Sequence, residues 1–304
     1  MSKVEYAMYF SLMLTCFLAF ASCENIQREA VSYIIYSRSN SEGSISRLPE
    51  DSAFSIIVDA FNPNLPTVVL IHGWLDDYES NFSTYIRSAI LKKTDANIIK
   101  VDWSPWSTQL YSAARDAVPT IGALAAELIQ SIYTYYDYSV DNVTLVGFSL
   151  GAHVAATVGK NLGGNIGTLI ALDPAGPGIS SQDLSYSVHP ADARYVQVIH
   201  TNAGTLGMID PVGHADYYPN GGFRQAGCGI DILGSCSHNR AWNYFVESIS
   251  DNQFIAVNCA TWDELLTSNC HGKRVVMGGL SNIDRSAKGL FYLQTNTATP
   301  FGRS

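Results

Sequence analysis

A serine between two glycines stands where the sequence changes from a strand pattern to a helix pattern. In NVTLVGFSLGAH (residues 142–153), apolar and β-branched residues lead up to Gly147, and Ser149 lies between Gly147 and Gly151. A sharp strand-to-helix turn would strain the serine backbone and raise its hydroxyl above a sheet, and only glycine would fit at the flanking positions. The pattern predicts Ser149 as a nucleophile, with an ordinary structural turn as the alternative.

A nucleophilic serine needs a histidine base and a carboxylate to orient it, and in such folds both follow the serine, carboxylate first. Asp173 directly follows the apolar run GTLIAL, at the expected carboxyl end of a buried strand. His200 and His214 could compete as the base. His238, however, comes two residues after a cysteine, on a loop that a disulfide could fix, just before a helix pattern. We therefore predict Asp173 and His238 as the partners of Ser149.

Other groups of the right type are less suitable because of their place in the chain. Asp102 also follows an apolar run, but it precedes the serine. His72 precedes the serine too, and His153, one helical turn after it, is expected to be structural.

Ester hydrolysis passes through a tetrahedral oxyanion that needs two N–H donors. One is predicted to be the backbone of Leu150, the residue after the nucleophile. The other is expected in the turn after an early strand, and IHGW (residues 71–74) makes the Trp74 N–H the candidate. The alternative is a strand-end glycine followed by a tryptophan of the core.

Short apolar runs alternate with helical patterns along the chain, as a β-α-β architecture requires. Strands are predicted over residues 31–37, 54–58, 67–73, 97–103, 142–148, 167–177, 194–201 and 289–296. Helices are predicted over residues 109–136, with Pro119 kinking or restarting the helix, and over 150–162 and 237–249. We predict an α/β fold: a mostly parallel central sheet with helices on both faces, in a single domain.

Composition and charge exclude some classes of partner. The 304 residues are 47% hydrophobic and 15% charged, enough to bury a sizeable core. The net charge is −9 and Lys and Arg are not clustered, so no nucleic acid partner is expected. Strongly anionic membranes are disfavoured for the same reason, whereas neutral or zwitterionic lipid is not.

The N-terminus has the pattern of a secretory signal. Lys3 precedes an apolar run over residues 7–20, which is shorter than the ~20 residues of a membrane span, and small residues follow it. We predict a signal peptide over residues 1–23, cleaved after Ala21 or Cys23, and a secreted protein without a transmembrane anchor. An uncleaved anchor is the alternative.

Cys16 leaves with the signal, and Cys23 leaves with it or remains as an odd thiol. The other four cysteines are an even set, which predicts disulfides in an oxidising compartment. The simplest of three pairings joins Cys228 to Cys236 and Cys259 to Cys270. A zinc site is the competitor, but neither pair has CxxC spacing, so no metal or other cofactor is expected. Two glycosylation sequons begin at Asn81 and Asn142.

Nearly all of the mature chain resembles the pancreatic lipase family of secreted animal lipases. The matching segments are PTVVLIHGW, VDW, NVTLVGFSLGAHVAA, ALDPAGP, VQVIHTNAGTLG, GHADYYPNGG, GCG…CSHNRAW and FYLQTN, in fixed order. The resemblance implies an α/β-hydrolase fold and hydrolysis of lipid esters through an acyl-enzyme. It implies nucleophile Ser149, acid Asp173, base His238, and oxyanion donors Trp74 and Leu150.

Departures from the family pattern narrow the expected substrate. The lid loop GIDILGS (residues 229–235) and the loop between His200 and His214 are short, as in the phospholipase A1 members of insects. A seven-residue loop cannot cover the acyl cleft, so we expect an exposed site suited to amphiphiles with a polar head. The family's calcium-binding stretch is represented by Asp192 alone, so calcium should not be needed. We expect one lipase domain over residues 24–304, without the C-terminal β-sandwich of triglyceride lipases.

Three functions follow from this pattern. The first is a phospholipase A1 that releases the sn-1 fatty acid, acting as a monomer at a membrane or micelle surface. The second keeps the chemistry but acts on neutral glycerides or galactolipids. The third is a non-catalytic, yolk-type lipid-binding or storage protein, against which the presence of Ser149, Asp173 and His238 argues.

Overall fold

An eleven-stranded mixed sheet runs through residues 31–47, 59–250 and 253–303, which are the residues that the computed structural model describes. The predicted signal peptide and the predicted strand over residues 54–58 lie outside them. The strands are β1 Ser32–Tyr36, β2 Ser44–Arg47, β3 Thr67–Ile71, β4 Asn97–Asp102, β5 Val143–Phe148, β6 Thr168–Leu172, β7 Val196–Ile199, β8 Ala215–Pro219, β9 Ile255–Cys259, β10 Arg274–Val276 and β11 Gly289–Leu293. Their order across the sheet is β10-β9-β11-β8-β7-β6-β5-β3-β4-β1-β2.

The middle of the sheet is parallel and its two ends are antiparallel. All pairings from β4 across to β11 are parallel. β1 and β2 add antiparallel strands at one end, and β9 and β10 do so at the other. The prediction of a mostly parallel sheet is confirmed.

Helices cover both faces of this sheet. They are α1 Asn81–Lys93, α2 Ser104–Ser107, α3 Tyr111–Tyr136, α4 Leu150–Asn161, α5 Ser235–Ser250 and α6 Trp262–Leu266. The long helix α3 packs with α4 in one apolar core, while α1 and α5 share the core on the other face. Pro119 lies inside α3, which continues through it as one helix, so of the predicted kink or restart the restart does not occur. No helix of the described chain combines the length and the apolar character needed to cross a bilayer.

Strand β5 lies between β3 and β6, and this register brings three strand ends together. Phe148, the last residue of β5, pairs with Leu172, the last residue of β6. Leu172 in turn pairs with Ile199 at the end of β7. Because these strands are parallel, the residues that follow them gather at one edge of the sheet, where sites form in open α/β folds.

Candidate active site

Ser149 occupies the turn between β5 and α4 in a strained backbone conformation. Its φ is 56° and its ψ is −122°, in the left-handed half of φ space that non-glycine residues rarely adopt. A Cβ on Gly147 would lie 2.3 Å from the carbonyl oxygen of Gly151, and one on Gly151 would lie 2.2 Å from that of Ile71. Neither position has room for a side chain, which is the steric reason that the sequence pattern suggested.

Asp173 and His238 meet through a short hydrogen bond. Nδ1 of His238, in the first turn of α5, lies 2.5 Å from Oδ2 of Asp173, which directly follows β6. The other oxygen of Asp173 accepts backbone N–H groups from Thr201 at 2.7 Å and from Asn202 at 3.0 Å. All these partners act as donors, so they fix the orientation of the buried carboxylate, with Oδ2 aimed at the imidazole.

Gly207 closes the remaining side of the Asp173 carboxylate. A Cβ at Gly207 would lie 2.4 Å from Oδ1 of Asp173. The backbone of the segment after β7 is therefore in direct contact with the carboxylate, and only glycine fits. This contact was not predicted from the sequence.

The imidazole of His238 lies beside the strand end that carries Ser149. The ring of Phe148 is 4.6 Å from the His238 ring between centroids. Ser149 is 9% exposed and His238 is 8% exposed, so both are reachable but recessed. Within the described residues the Ser149 hydroxyl makes no hydrogen bond. Catalytic hydrogen bonds are often long in free enzymes and shorten when substrate binds.

Two N–H groups border the serine without an acceptor. Leu150 is the first residue of α4, where helix geometry leaves the N–H unpaired, and Trp74 follows the glycine packed against Ser149. Neither N–H has an acceptor in the part of the chain that is described. The Trp74 side chain is 39% exposed and its Nε1 donates to the Gln109 carbonyl at 2.8 Å, so it is not a core tryptophan.

A disulfide closes the loop before α5, and the side chain of Asp231 in that loop caps the helix. Cys228 is bonded to Cys236, and Cys259 to Cys270, as predicted. Asp231 accepts from the backbone N–H groups of Cys236 at 3.2 Å and of Ser237 at 2.7 Å, which caps the helix that carries His238. Burial raises the pKa of Asp231, but the hydrogen bonds from Ser237 and Cys236 outweigh it and hold that pKa below its usual value.

The zinc alternative does not fit this loop. Asp231 and the two sulfurs of Cys228 and Cys236 lie within 4.8 Å of one another, close enough for a metal. The sulfurs are bonded to each other, however, so neither is available as a thiolate ligand.

The competing histidines are engaged elsewhere. His200 is buried, with Nε2 3.0 Å from Oδ1 of Asp216. Nδ1 of His214 accepts the backbone N–H of Val196 at 3.0 Å. His153 is fully buried with Nε2 2.9 Å from the carbonyl oxygen of Ala175, and burial lowers its pKa to about 4.

The carboxylate of Asp192 is paired with a lysine inside the protein. Nζ of Lys160 lies 2.5 Å from Oδ1 of Asp192, and the backbone N–H of His189 donates to its other oxygen at 2.7 Å. The Lys160 ammonium thus already balances the charge of this carboxylate.

The asparagines of the two sequons, Asn81 and Asn142, are both exposed.

The tip of the disulfide-closed loop is apolar and open to solvent. Ile230 is 90% exposed, Ile232 is 81% exposed and Leu233 is 78% exposed. Three neighbouring aliphatic side chains at this exposure cost free energy in water, which usually marks a contact surface. The same loop leads directly into the helix of His238.

Comparisons with known proteins agree on the family. A family model described as Lipase matches residues 18–301. The chain is 34% identical over 245 residues to pancreatic lipase-related protein 2 of Cavia porcellus, covering 78% of this chain and 56% of that protein. It is 31% identical over 276 residues to pancreatic triacylglycerol lipase of Myocastor coypus, covering 80% and 60%. The chain thus spans little more than half the length of these relatives.

Solved structures give more distant likenesses. Esterase PE8 has a TM-score of 0.36 at 18% identity, over 47% of this chain and 72% of that one. An α/β hydrolase from a Medee basin deep-sea metagenome library, MGS-M1, has a TM-score of 0.32 at 13% identity, over 58% and 66%. These likenesses are too remote to bear on function.

Proposed function

Because the chain belongs to the pancreatic lipase family, we propose that it is a secreted serine hydrolase of lipid carboxylic esters. The observation that carries this proposal is the 2.5 Å contact between Nδ1 of His238 and Oδ2 of Asp173, beside the strained turn of Ser149. A histidine held by a buried carboxylate is the arrangement that activates a serine hydroxyl.

In the proposed mechanism, Oγ of Ser149 attacks the carbonyl carbon of the ester while Nε2 of His238 takes its proton. Asp173 keeps the proton on Nδ1 and stabilises the imidazolium that forms. The N–H groups of Trp74 and Leu150 donate to the oxyanion. His238 then gives the proton to the leaving alcohol oxygen, and an acyl-enzyme on Ser149 remains. Water, deprotonated by His238, then attacks the acyl carbon and forms a second tetrahedral oxyanion. This intermediate collapses with cleavage of the bond to Oγ of Ser149, His238 returns the proton to Oγ, and the fatty acid leaves.

The substrate that this site suits best is a phospholipid, cleaved at its sn-1 ester. The seven-residue lid loop is too short to bury a long acyl cleft, and its apolar tip is directed to solvent. Such a tip supports contact with the acyl chains of a membrane or micelle while a polar head stays in water. Neutral glycerides and galactolipids are the alternative substrates of the same chemistry.

A non-catalytic lipid carrier is the alternative from another class. A carrier has no need for a serine at φ 56° or for a carboxylate surrounded by donors. Both features cost free energy of folding, so their presence supports a catalytic role for this chain.

Secretion is part of the proposal. Disulfides form and persist in oxidising compartments, and the chain has two of them; both sequons also have exposed asparagines. The predicted signal over residues 1–23 would direct the chain there.

The substrate proposal is tested with phosphatidylcholine labelled differently at its two acyl chains, beside triolein. We expect release of the sn-1 acyl chain to exceed release from triolein. Preferential hydrolysis of triolein would contradict the short-loop argument. Ser149→Ala, which keeps the fold but lacks the nucleophile, is the control for both substrates.

A further inference from the structure

A buried histidine under the oxyanion turn has no part in the mechanism above. His72 is 0% exposed and is the residue before Gly73. Nδ1 of His72 lies 3.0 Å from the carbonyl oxygen of Gly73. A carbonyl oxygen only accepts, so Nδ1 carries the proton and donates it.

The rest of the ring is fixed by Trp103. The backbone N–H of Trp103 donates to Nε2 of His72 at 3.2 Å, which requires Nε2 to be the acceptor and agrees with a proton on Nδ1. Nε1 of Trp103 donates to the His72 carbonyl at 2.9 Å, and the two rings stack 5.6 Å apart at 17°. These contacts hold the imidazole in one position, with Nδ1 facing the Gly73 carbonyl and with Oδ1 of Asp102 3.4 Å from Nε2.

The hydrogen bond to Gly73 acts on Trp74 through the peptide plane. The carbonyl of Gly73 and the N–H of Trp74 belong to one planar trans peptide, so they point in opposite directions. Fixing the carbonyl against the His72 ring fixes the N–H away from it. Glycine itself places little restriction on that peptide, because it accepts a wide range of backbone angles.

We propose that His72 is a positioning residue of the oxyanion hole, whose Nδ1–H holds the Gly73–Trp74 peptide so that the Trp74 N–H faces the ester oxygen. This inference rests on the proposed function. This role explains why a histidine stands at position 72. An apolar residue would fill the same space but would leave the Gly73–Trp74 peptide free to turn. The Trp74 side chain, bonded to Gln109, anchors the other end of the turn.

Two substitutions of His72 by amide side chains distinguish a role in positioning the Gly73–Trp74 peptide from a role in filling buried space. His72→Asn keeps an N–H donor at the δ position, within reach of the Gly73 carbonyl. His72→Gln is similar in polarity and reaches the Nε2 position, where it can accept from Trp103, but it has no δ donor. The readouts are kcat and KM on p-nitrophenyl butyrate, together with the crystal structure of each variant.

We expect His72→Gln to lower kcat about 10- to 100-fold with KM changed less than threefold, since misplacing one oxyanion donor costs up to the effect of removing it. His72→Asn should stay within about threefold of the wild type. The Gly73–Trp74 peptide should keep its orientation in His72→Asn and turn, or split into two orientations, in His72→Gln. Equal losses in both variants, or one peptide orientation in both, would overturn the inference. A wild-type chain that hydrolyses no ester would overturn the proposed function, while the peptide orientations would still decide the role of His72.

Discussion

Nδ1 of His238 lies 2.5 Å from Oδ2 of Asp173, although 65 residues separate them in the chain. The sheet explains this contact, because Asp173 lies at the edge where β5, β6 and β7 all end. The cap of Asp231 on α5 then sets where the first turn of that helix, and so His238, lies. The proposed chemistry depends on this contact.

Asp173→Asn tests the contact directly. The amide oxygen can still accept from Thr201 and Asn202, so the fold should persist, but an NH₂ group facing Nδ1 favours the wrong tautomer of His238. We expect kcat to fall about 10⁴-fold with little change in Tm. Asp263→Asn, on the exposed start of α6, is the matched control and should leave kcat unchanged. An Asp173→Asn enzyme with near wild-type turnover would show that the carboxylate is not used.

Gly207→Ala should disturb the same carboxylate from its other side. The new methyl group would lie 2.4 Å from Oδ1 of Asp173, so either the carboxylate or the Gly207 segment must move. We expect kcat/KM to fall at least tenfold, since small displacements of an orienting group are costly. Kinetics and a thermal melt of the variant check this. Full activity at an unchanged Tm would mean that the contact is loose in solution.

His153 makes stability depend on pH. Burial lowers its pKa to about 4, whereas in the unfolded chain it takes up a proton near its usual pKa of 6.5. Between these values the unfolded state binds more protons, so the free energy of unfolding falls as the pH drops from 6.5 to 4, by up to about 1.4 kcal/mol per pH unit.

Urea unfolding of the wild type and His153→Gln at pH 7, 5.5 and 4.5 measures this contribution. Glutamine keeps a donor for the Ala175 carbonyl but does not titrate. The stability advantage of the wild type over the variant should therefore shrink as the pH falls. His271→Gln, at an exposed position, is the surface control. A constant difference for His153→Gln would contradict the assignment.

The apolar tip of the lid loop should matter only at a lipid surface. Replacing Ile230, Ile232 and Leu233 by serine removes apolar area that would be buried in acyl chains. We expect at least tenfold slower hydrolysis of phosphatidylcholine vesicles, with turnover of soluble p-nitrophenyl butyrate within about twofold. The control replaces Leu266 and Val276, exposed apolar residues on α6 and β10, by serine. Equal losses on both substrates would indicate a structural role for the tip.

The central strands were predictable because burial on both faces leaves a continuous apolar signal. TVVLI in β3 and TLIAL in β6 are buried at all five positions. Strand β8, ADYYP, is equally buried but was missed, because it contains an acid and a proline. The buried Asp216 is tolerated there because its carboxylate is hydrogen-bonded to His200 and to the backbone N–H groups of Val212 and Gly213.

Site residues set by local pattern were predictable, whereas those set by loop packing were not. The turn of Ser149 has a local steric signature in its flanking glycines. The contact of Gly207 with Asp173 and the fixing of the His72 ring by Trp103 depend on how segments that are distant in the chain pack together. No spacing in the sequence encodes those contacts. Helix α1, with acceptable helix formers but a weak apolar stripe, was missed for lack of a clear period.

Reaction with a fluorophosphonate ester, followed by peptide mass spectrometry, tests whether Ser149 is an activated nucleophile. We expect one adduct per chain, on Ser149, in the wild type and none in Ser149→Ala. We also expect the adduct to abolish ester hydrolysis. An unlabelled wild-type chain, or a label on another residue that leaves hydrolysis intact, would contradict these expectations.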